Sequence, residues 1–300
     1  MKFATFSMTD GPHLGLFVDD HQLVDLTAGW PASSQATTPR DVADMAALGA
    51  DGLAVANDIA KAATTPRLDF KGLALLAPIP RPRRNVFCVG RNYKDHIDEG
   101  LRAQGLAPKP LPEAPEFFTK SPAAVVAHGD TVPVHANATQ RLDYEVELAV
   151  IIGRRGVNIQ RSQAMDHVFG YTIANDVTGR DLQRRHGQWF KGKSLDRSCP
   201  LGPIVVHHSV VGDSPDLAIR MRINGELRQD SRTSRMIFDI PAIIEQLSLG
   251  MALEPGDIIA TGTPSGVGYA MEPPRALAVG DRMEAEIDGL GTLANVIAAD

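Results

Sequence analysis

The chain has 300 residues, 43% of them hydrophobic and only 5% aromatic, and 30 basic residues against 36 acidic ones give a net charge of −6. That length suits one large domain with a small companion, and two cysteines, Cys88 and Cys199, offer no disulfide framework and fit a reducing, cytoplasmic setting. Lys and Arg form no dense stripe, the start lacks a secretory apolar core, and no apolar run reaches the ~18 residues of a membrane span, so neither nucleic acid nor membrane is expected as a partner.

Residues 1–78 read as a small α+β unit and 79–300 as a larger one. Lys2–Phe6, His13–Val18 and Gln22–Leu26 have strand composition, and Thr38-Pro39 opens Ala-rich helical sequence running to about Ala63. Pro78, Pro80 and Pro82 mark the boundary. Beyond it, Asn85–Val89 reads as a strand and Tyr93–Gln104 as a short helix. Pro108, Pro110, Pro112 and Pro115 then enforce an extended loop, a combination that suits a mobile lid. Further strands are expected at Leu142–Ile152, Val168–Asn175, Gly202–Val206, Leu217–Asn224, Asp257–Thr261, Arg282–Ile287 and Gly291–Ile297. Asn224-Gly225 makes a hairpin turn, and Phe238–Leu249 is a helix stopped at Gly250. Strands outnumber helices without βαβ alternation, so the fold class is α+β, mainly β.

Asp143-Tyr144-Glu145-Val146-Glu147 is the most informative segment. Alternate side chains of a strand share a face, which groups Asp143, Glu145 and Glu147 ahead of the apolar run Leu148–Ile152. Either this is a solvated face matched by Lys or Arg on a neighbour, or it holds a hard cation such as Mg²⁺, which takes oxygen ligands. Asp176, after the strand-like Tyr171–Asn175, can supply a third carboxylate, and the lack of a His/Cys cluster speaks against zinc.

His96 and Glu99 sit three apart on the short helix and can touch; such a pair is either a common surface motif or an oriented general base. Gly187–Ser194 matches Gly-x-x-x-x-Gly-Lys-Ser literally, but no buried strand precedes it and Pro200 blocks a long helix, so a nucleotide-binding loop is rejected. Thr261–Gly268 is glycine-rich and serves either as a tight turn or as a set of amides approaching an anion. Cys88, in an apolar strand without an assignable His partner, reads as a structural thiol.

Taken in order, several motifs resemble the fumarylacetoacetate hydrolase family. These are Gly90-Arg91-Asn92-Tyr93 with His96 and Glu99; Asp143–Ala149 with Ile152-Gly153; Gly170–Thr178 with Arg180–Gln183; Trp189–Asp196; Cys199–Pro203; Leu253–Asp257; and Thr261–Gly268. The likeness covers about residues 85–298. It implies a catalytic domain built as a mixed β-sheet roll and a homodimer, by analogy of fold. It also implies Glu145, Glu147 and Asp176 as ligands of Mg²⁺ or Mn²⁺, with His96, Glu99 and Lys193 as catalytic residues. Arg91, Gln183, Gly262 and Thr263 become substrate contacts. The expected activity is hydrolysis of a C–C bond in a small 2-oxo acid such as an acylpyruvate, as in aromatic catabolism. The alternatives are a decarboxylase or tautomerase/isomerase of oxaloacetate- or hydroxymuconate-type diacids, and a non-catalytic metal or small-molecule binding module.

Overall fold

The computed structural model describes residues 1–34, 36–62, 65–213 and 215–300. An 11-stranded sheet organises the chain, in the order Arg67–Asp69, Gln22–Asp25, Gly11–Phe17, Lys2–Met8, Cys199–His207, Val168–Asn175, Val146–Ile152, Ile258–Ala260, Val86–Gly90 and Glu116–Lys120, with Val125–Val126 beside Cys199–His207. A five-stranded sheet runs Glu226–Arg232, Ala218–Ile223, Arg282–Ile287, Gly291–Ala298 and Thr131–Pro133. The fold is mixed, with strands dominating and few helices, as the composition of the segments suggests.

The strand Val146–Ile152 lies inside, buried at every position. Leu148, Val150 and Ile152 face a core shared with Ile219, Met221, Met283 and Leu293 of the second sheet. Ala149 and Ile151 face a second core that includes Val42, Met45 and Ile59 of the long helix Val42–Lys61. A strand covered on both faces reads as an unbroken apolar run rather than as alternation, which is why Leu148–Ile152 has that composition. Each fully buried aliphatic side chain there contributes about 1.5–3 kcal/mol.

Most elements begin and end within a few residues of their expected bounds. Val168–Asn175 and Arg282–Ile287 coincide with them. The long helix starts later, at Val42, because the Asp41 side chain caps it by accepting from the Asp44 amide; its expected end at Ala63 lies outside the described residues. The strands Arg67–Asp69, Glu116–Lys120 and Thr131–Pro133 were not expected. All are short or sheet-edge pieces close to prolines, where local composition points to loop. The Leu142–Ile152 strand is interrupted at Tyr144-Glu145: Leu142–Asp143 pairs separately with Thr178–Gly179. No helix is long and apolar enough to cross a membrane, among the described residues.

Candidate active site

Strand pairing brings the carboxylates together. Val146 lies opposite Asn175 in antiparallel register, so Glu145 and Asp176 leave adjacent strand ends side by side. The Asp176 amide donates to the Glu145 carbonyl at 2.8 Å, and the Glu145 amide donates to the Asn175 side chain at 3.0 Å. Glu145, Glu147 and Asp176 each offer an oxygen, and all three oxygens lie within 4.8 Å of one another. Their residues are only 4%, 1% and 1% exposed, so solvent does not screen their repulsion.

Buried cations answer most of that charge. Lys193 Nζ lies 2.6 Å from both Glu145 Oε2 and Asp176 Oδ2. Arg180 Nη2 stands 2.7 Å from Glu145 Oε1, while its Nε donates to Asp143 Oδ2 at 2.9 Å. Lys120 Nζ donates to the Val177 carbonyl at 3.0 Å and sits 2.8 Å from Asp176 Oδ1. That last contact is an ion pair without hydrogen-bond geometry, leaving Asp176 Oδ1 without a hydrogen-bond donor. Asp143, beyond the strand interruption, is held by the Gly268 and Tyr269 amides at 2.8 and 3.1 Å and anchors Arg180. Both earlier alternatives therefore meet here: cations do match the carboxylates, but incompletely.

Glu147 is the unmatched member. It takes part in no ion pair among the described residues, and its Oε2 accepts only from the Gly262 amide, at 2.8 Å. Burial, then the charges of Asp176 and Glu145, push its carboxyl well above the ordinary range. Burial also acts to raise Glu145, but Arg180 and Lys193 outweigh it and hold that carboxyl well below the usual range. Asp143, Glu145, Glu147 and Asp176 bring four negative charges against the three positive ones of Lys120, Arg180 and Lys193. A buried cluster with one excess negative charge, an oxygen-only donor set and an orphaned carboxylate oxygen fits a hard divalent cation. A divalent cation bound there would be held by Glu145, Glu147 and Asp176.

Above the cluster lies a cavity of about 460 Å³, lined among others by His96, Glu145, Glu147, Arg180, Lys193 and Tyr269. The helix Lys94–Ala103 forms one wall, and Gly100 lets it approach Tyr269 closely: a Cβ there would stand 2.6 Å from the Tyr269 hydroxyl. His96 Nδ1 and Glu99 Oε1 are 2.8 Å apart, and Glu99 Oε2 accepts from the Gly266 amide at 2.7 Å. Glu99 thus joins the helix Lys94–Ala103 to the glycine-rich loop while orienting the imidazole. With Nδ1–H donated to Glu99, Nε2 is the basic nitrogen of His96.

The residues expected to contact substrate divide. Arg91 and Gln183 line the cavity, with Arg91 bonded to Glu116 at 3.1 Å and stacked over Trp189, and Gln183 accepting from Arg180 at 3.4 Å. The Gly262 amide is taken by Glu147. Thr263 lines the cavity, but its hydroxyl proton goes to the Val146 carbonyl at 2.9 Å and the oxygen accepts from Gln229 at 2.8 Å. Lys193 ends the single-turn helix Phe190–Lys193 and points at carboxylates, in keeping with the rejected nucleotide loop. Local sequence marks neither Lys120, on a proline-flanked edge strand, nor Arg180, inside the Arg180–Gln183 motif, as a partner of these carboxylates. Both cysteines are buried thiols.

Residues 85–298 match the family described as Fumarylacetoacetate (FAA) hydrolase C-terminal. Among similar sequences, the oxaloacetate tautomerase YisK of Bacillus subtilis strain 168 is 47% identical over 99% of this chain and 100% of its own length. A mitochondrial oxaloacetate tautomerase, fahd2 of Xenopus laevis, is 38% identical over 99% of this chain and 90% of its own. Among solved structures, the fumarylacetoacetate hydrolase of psychrophilic Exiguobacterium antarcticum superposes with a TM-score of 0.83 at 39% identity, covering 100% of both chains. A probable 2-hydroxyhepta-2,4-diene-1,7-dioate isomerase of Mycobacterium abscessus gives 0.80 at 32% identity, covering 100% of this chain and 99% of its own. With that match extending over more than two thirds of its residues, the chain belongs to the fumarylacetoacetate hydrolase family.

Proposed function

We propose that this enzyme interconverts the keto and enol forms of a small 2-oxo diacid of the oxaloacetate type, with Mg²⁺ or Mn²⁺ as cofactor. The observation that carries this reading is the full-length likeness, at 47% identity, to an oxaloacetate tautomerase. It replaces C–C hydrolysis as the leading reading, and membership of an enzyme family leaves the non-catalytic module without support.

The site chemistry suits proton transfer. A divalent cation at the three carboxylates supplies Lewis-acid polarisation of the 2-oxo acid oxygens. In ketonisation His96 Nε2 takes up the proton that the enol oxygen gives up, and the resulting imidazolium delivers a proton from Nε2 to the adjacent carbon, which restores the neutral imidazole; the reverse reaction moves a proton from that carbon onto Nε2 and from Nε2 to the oxygen. Glu99 fixes the tautomer and stabilises the transient imidazolium. Lys193 and Arg180 supply positive charge beside the oxygen where negative charge develops. Burial acts to lower the Lys193 pKa, but Asp176 and Glu145 prevail and keep it raised, so it serves as a fixed ammonium that donates hydrogen bonds and keeps its proton.

One solved relative bears a hydrolase name, so the decisive assay runs both reactions. Ketonisation of enol-oxaloacetate is followed by ultraviolet absorbance with Mg²⁺ and again after chelation, alongside acylpyruvate cleavage and oxaloacetate decarboxylation. Rapid, chelator-sensitive ketonisation is expected. Cleavage of acylpyruvates without acceleration of ketonisation would overturn the reading. The proposed homodimer is tested by light scattering on the purified chain.

A further inference from the structure

The cavity carries more positive charge than the carboxylate cluster consumes. Arg180 is ion-paired with Asp143 and Glu145 at the metal-binding end of the cavity. Arg91 is paired with Glu116, and Lys109 stands exposed on the proline-rich segment. Arg184, exposed like Lys109, also lines the cavity and takes part in no ion pair among the described residues. It is nevertheless held in place, because its guanidinium carbon lies 5.6 Å from the centre of the Tyr269 ring, while that of Arg180 lies 4.5 Å from the same centre.

Arg180 and Arg184 both belong to the helix Arg180–Arg185. Residues four apart share a helix face, one turn or about 5.4 Å apart. The inner arginine therefore touches the carboxylate cluster, and the outer one stands one helical turn further along the cavity wall. The terminal carbons of an extended four-carbon diacid are about 4 Å apart, from three C–C bonds of about 1.5 Å. With a hydrogen bond of about 2.8 Å added, such a molecule is long enough to bridge groups one helical turn apart.

We infer that Arg184 receives the second carboxylate of a 2-oxo diacid and so selects diacids over 2-oxo monoacids. The guanidinium fork matches a carboxylate edge-on, and stacking on Tyr269 removes part of the ordering cost that a free surface arginine would carry. Arg184 acts on binding and leaves the proton transfer to His96. The inference rests on the diacid reading above but is tested apart from it.

The probes are oxaloacetate and 2-oxobutyrate, which carries a methyl group where oxaloacetate has its second carboxylate. Binding is measured by calorimetry with Mg²⁺ on the unaltered enzyme, on Arg184→Gln and on Arg185→Gln, the exposed neighbour that does not line the cavity. The unaltered enzyme should bind oxaloacetate at least about tenfold more tightly than 2-oxobutyrate, the usual worth of one charge-assisted contact. Arg184→Gln should lose about tenfold on oxaloacetate and less than about twofold on 2-oxobutyrate, and Arg185→Gln should change neither by more than about twofold. In ketonisation, Arg184→Gln should raise KM about tenfold and leave kcat within about twofold, with Arg184→Lys intermediate. Equal weakening of both probes, no weakening, no preference in the unaltered enzyme, or the same loss in Arg185→Gln would each overturn the assignment. An enzyme with the expected binding pattern but no ketonisation would keep Arg184 and remove the tautomerase reading. Ketonisation untouched by Arg184→Gln would do the reverse.

Discussion

Replacing Glu147 by Gln separates a metal ligand from a merely buried acid. Glu147 is the carboxylate without an ion pair, in a cluster that carries four negative charges against three positive. Its glutamine keeps an oxygen for the Gly262 amide and presents an NH₂ group to the neighbouring carboxylates. The metal-free variant should therefore be more stable than the metal-free parent. Relief of one buried, uncompensated charge is worth about 2 kcal/mol, or about 4 °C in Tm for a chain of this size. A carboxyl whose folded pKa is raised binds its proton more tightly when folded. Its contribution is full below the unfolded pKa of about 4.3 and is lost as pH rises through the folded value. The metal-free parent should thus lose stability on going from pH ~4.3 towards neutrality, and Glu147→Gln should flatten that fall. With Mg²⁺ the order reverses. At a hundredfold excess over its Kd, the cation adds about 2.7 kcal/mol to the parent, about 5 °C, and nothing to the variant. Differential scanning fluorimetry across pH, with Mg²⁺ or with chelator, reads all of these. A metal-free variant less stable than the parent, or one that keeps the Mg²⁺ shift, refutes the charge count.

His96→Ala should lower kcat for ketonisation about 10²–10⁴-fold while leaving the Mg²⁺-dependent rise in Tm intact, because His96 belongs to the lid dyad and not to the carboxylate triad; loss of that rise would place it among the ligands. Asp143→Asn should cost about 3–5 kcal/mol in chemical denaturation, since it leaves the buried Arg180 without one of its two acidic partners; a cost below about 1 kcal/mol would mean that Asp143 is dispensable to the site. Cys88 and Cys199 should resist alkylation at pH 8 until the protein unfolds, because burial pushes the Cys199 thiol up to about 12 and the Cys88 thiol well above its ordinary value; rapid labelling of the native enzyme would contradict that.

The carboxylate triad was legible because its signals are local: a two-residue alternation sets Glu145 and Glu147 on one face, and a strand ending in Asp176 needs only to lie next to it. The His96–Glu99 pair was legible for the same reason, being one helical turn. Lys120, Arg180 and the Gly262 amide were not, because each reaches its carboxylate across a long stretch of chain. Lys120 is 56 residues from Asp176, as their pairing at 2.8 Å records, and its strand is assembled only by pairing with Val86–Gly90. A lysine in Phe117-Phe118-Thr119-Lys120 reads as an ordinary edge-strand charge until the fold buries it. Thr263 shows the opposite error: a hydroxyl in a glycine-rich loop suggests an anion donor, yet its single proton is spent on the Val146 carbonyl. A motif identifies which groups arrive at a site, whereas hydrogen-bond accounting decides which of them still has a proton or lone pair to offer. By that accounting His96 Nε2 and Arg184 are among the cavity groups left free for a substrate, one able to move a proton and the other able to hold a charge.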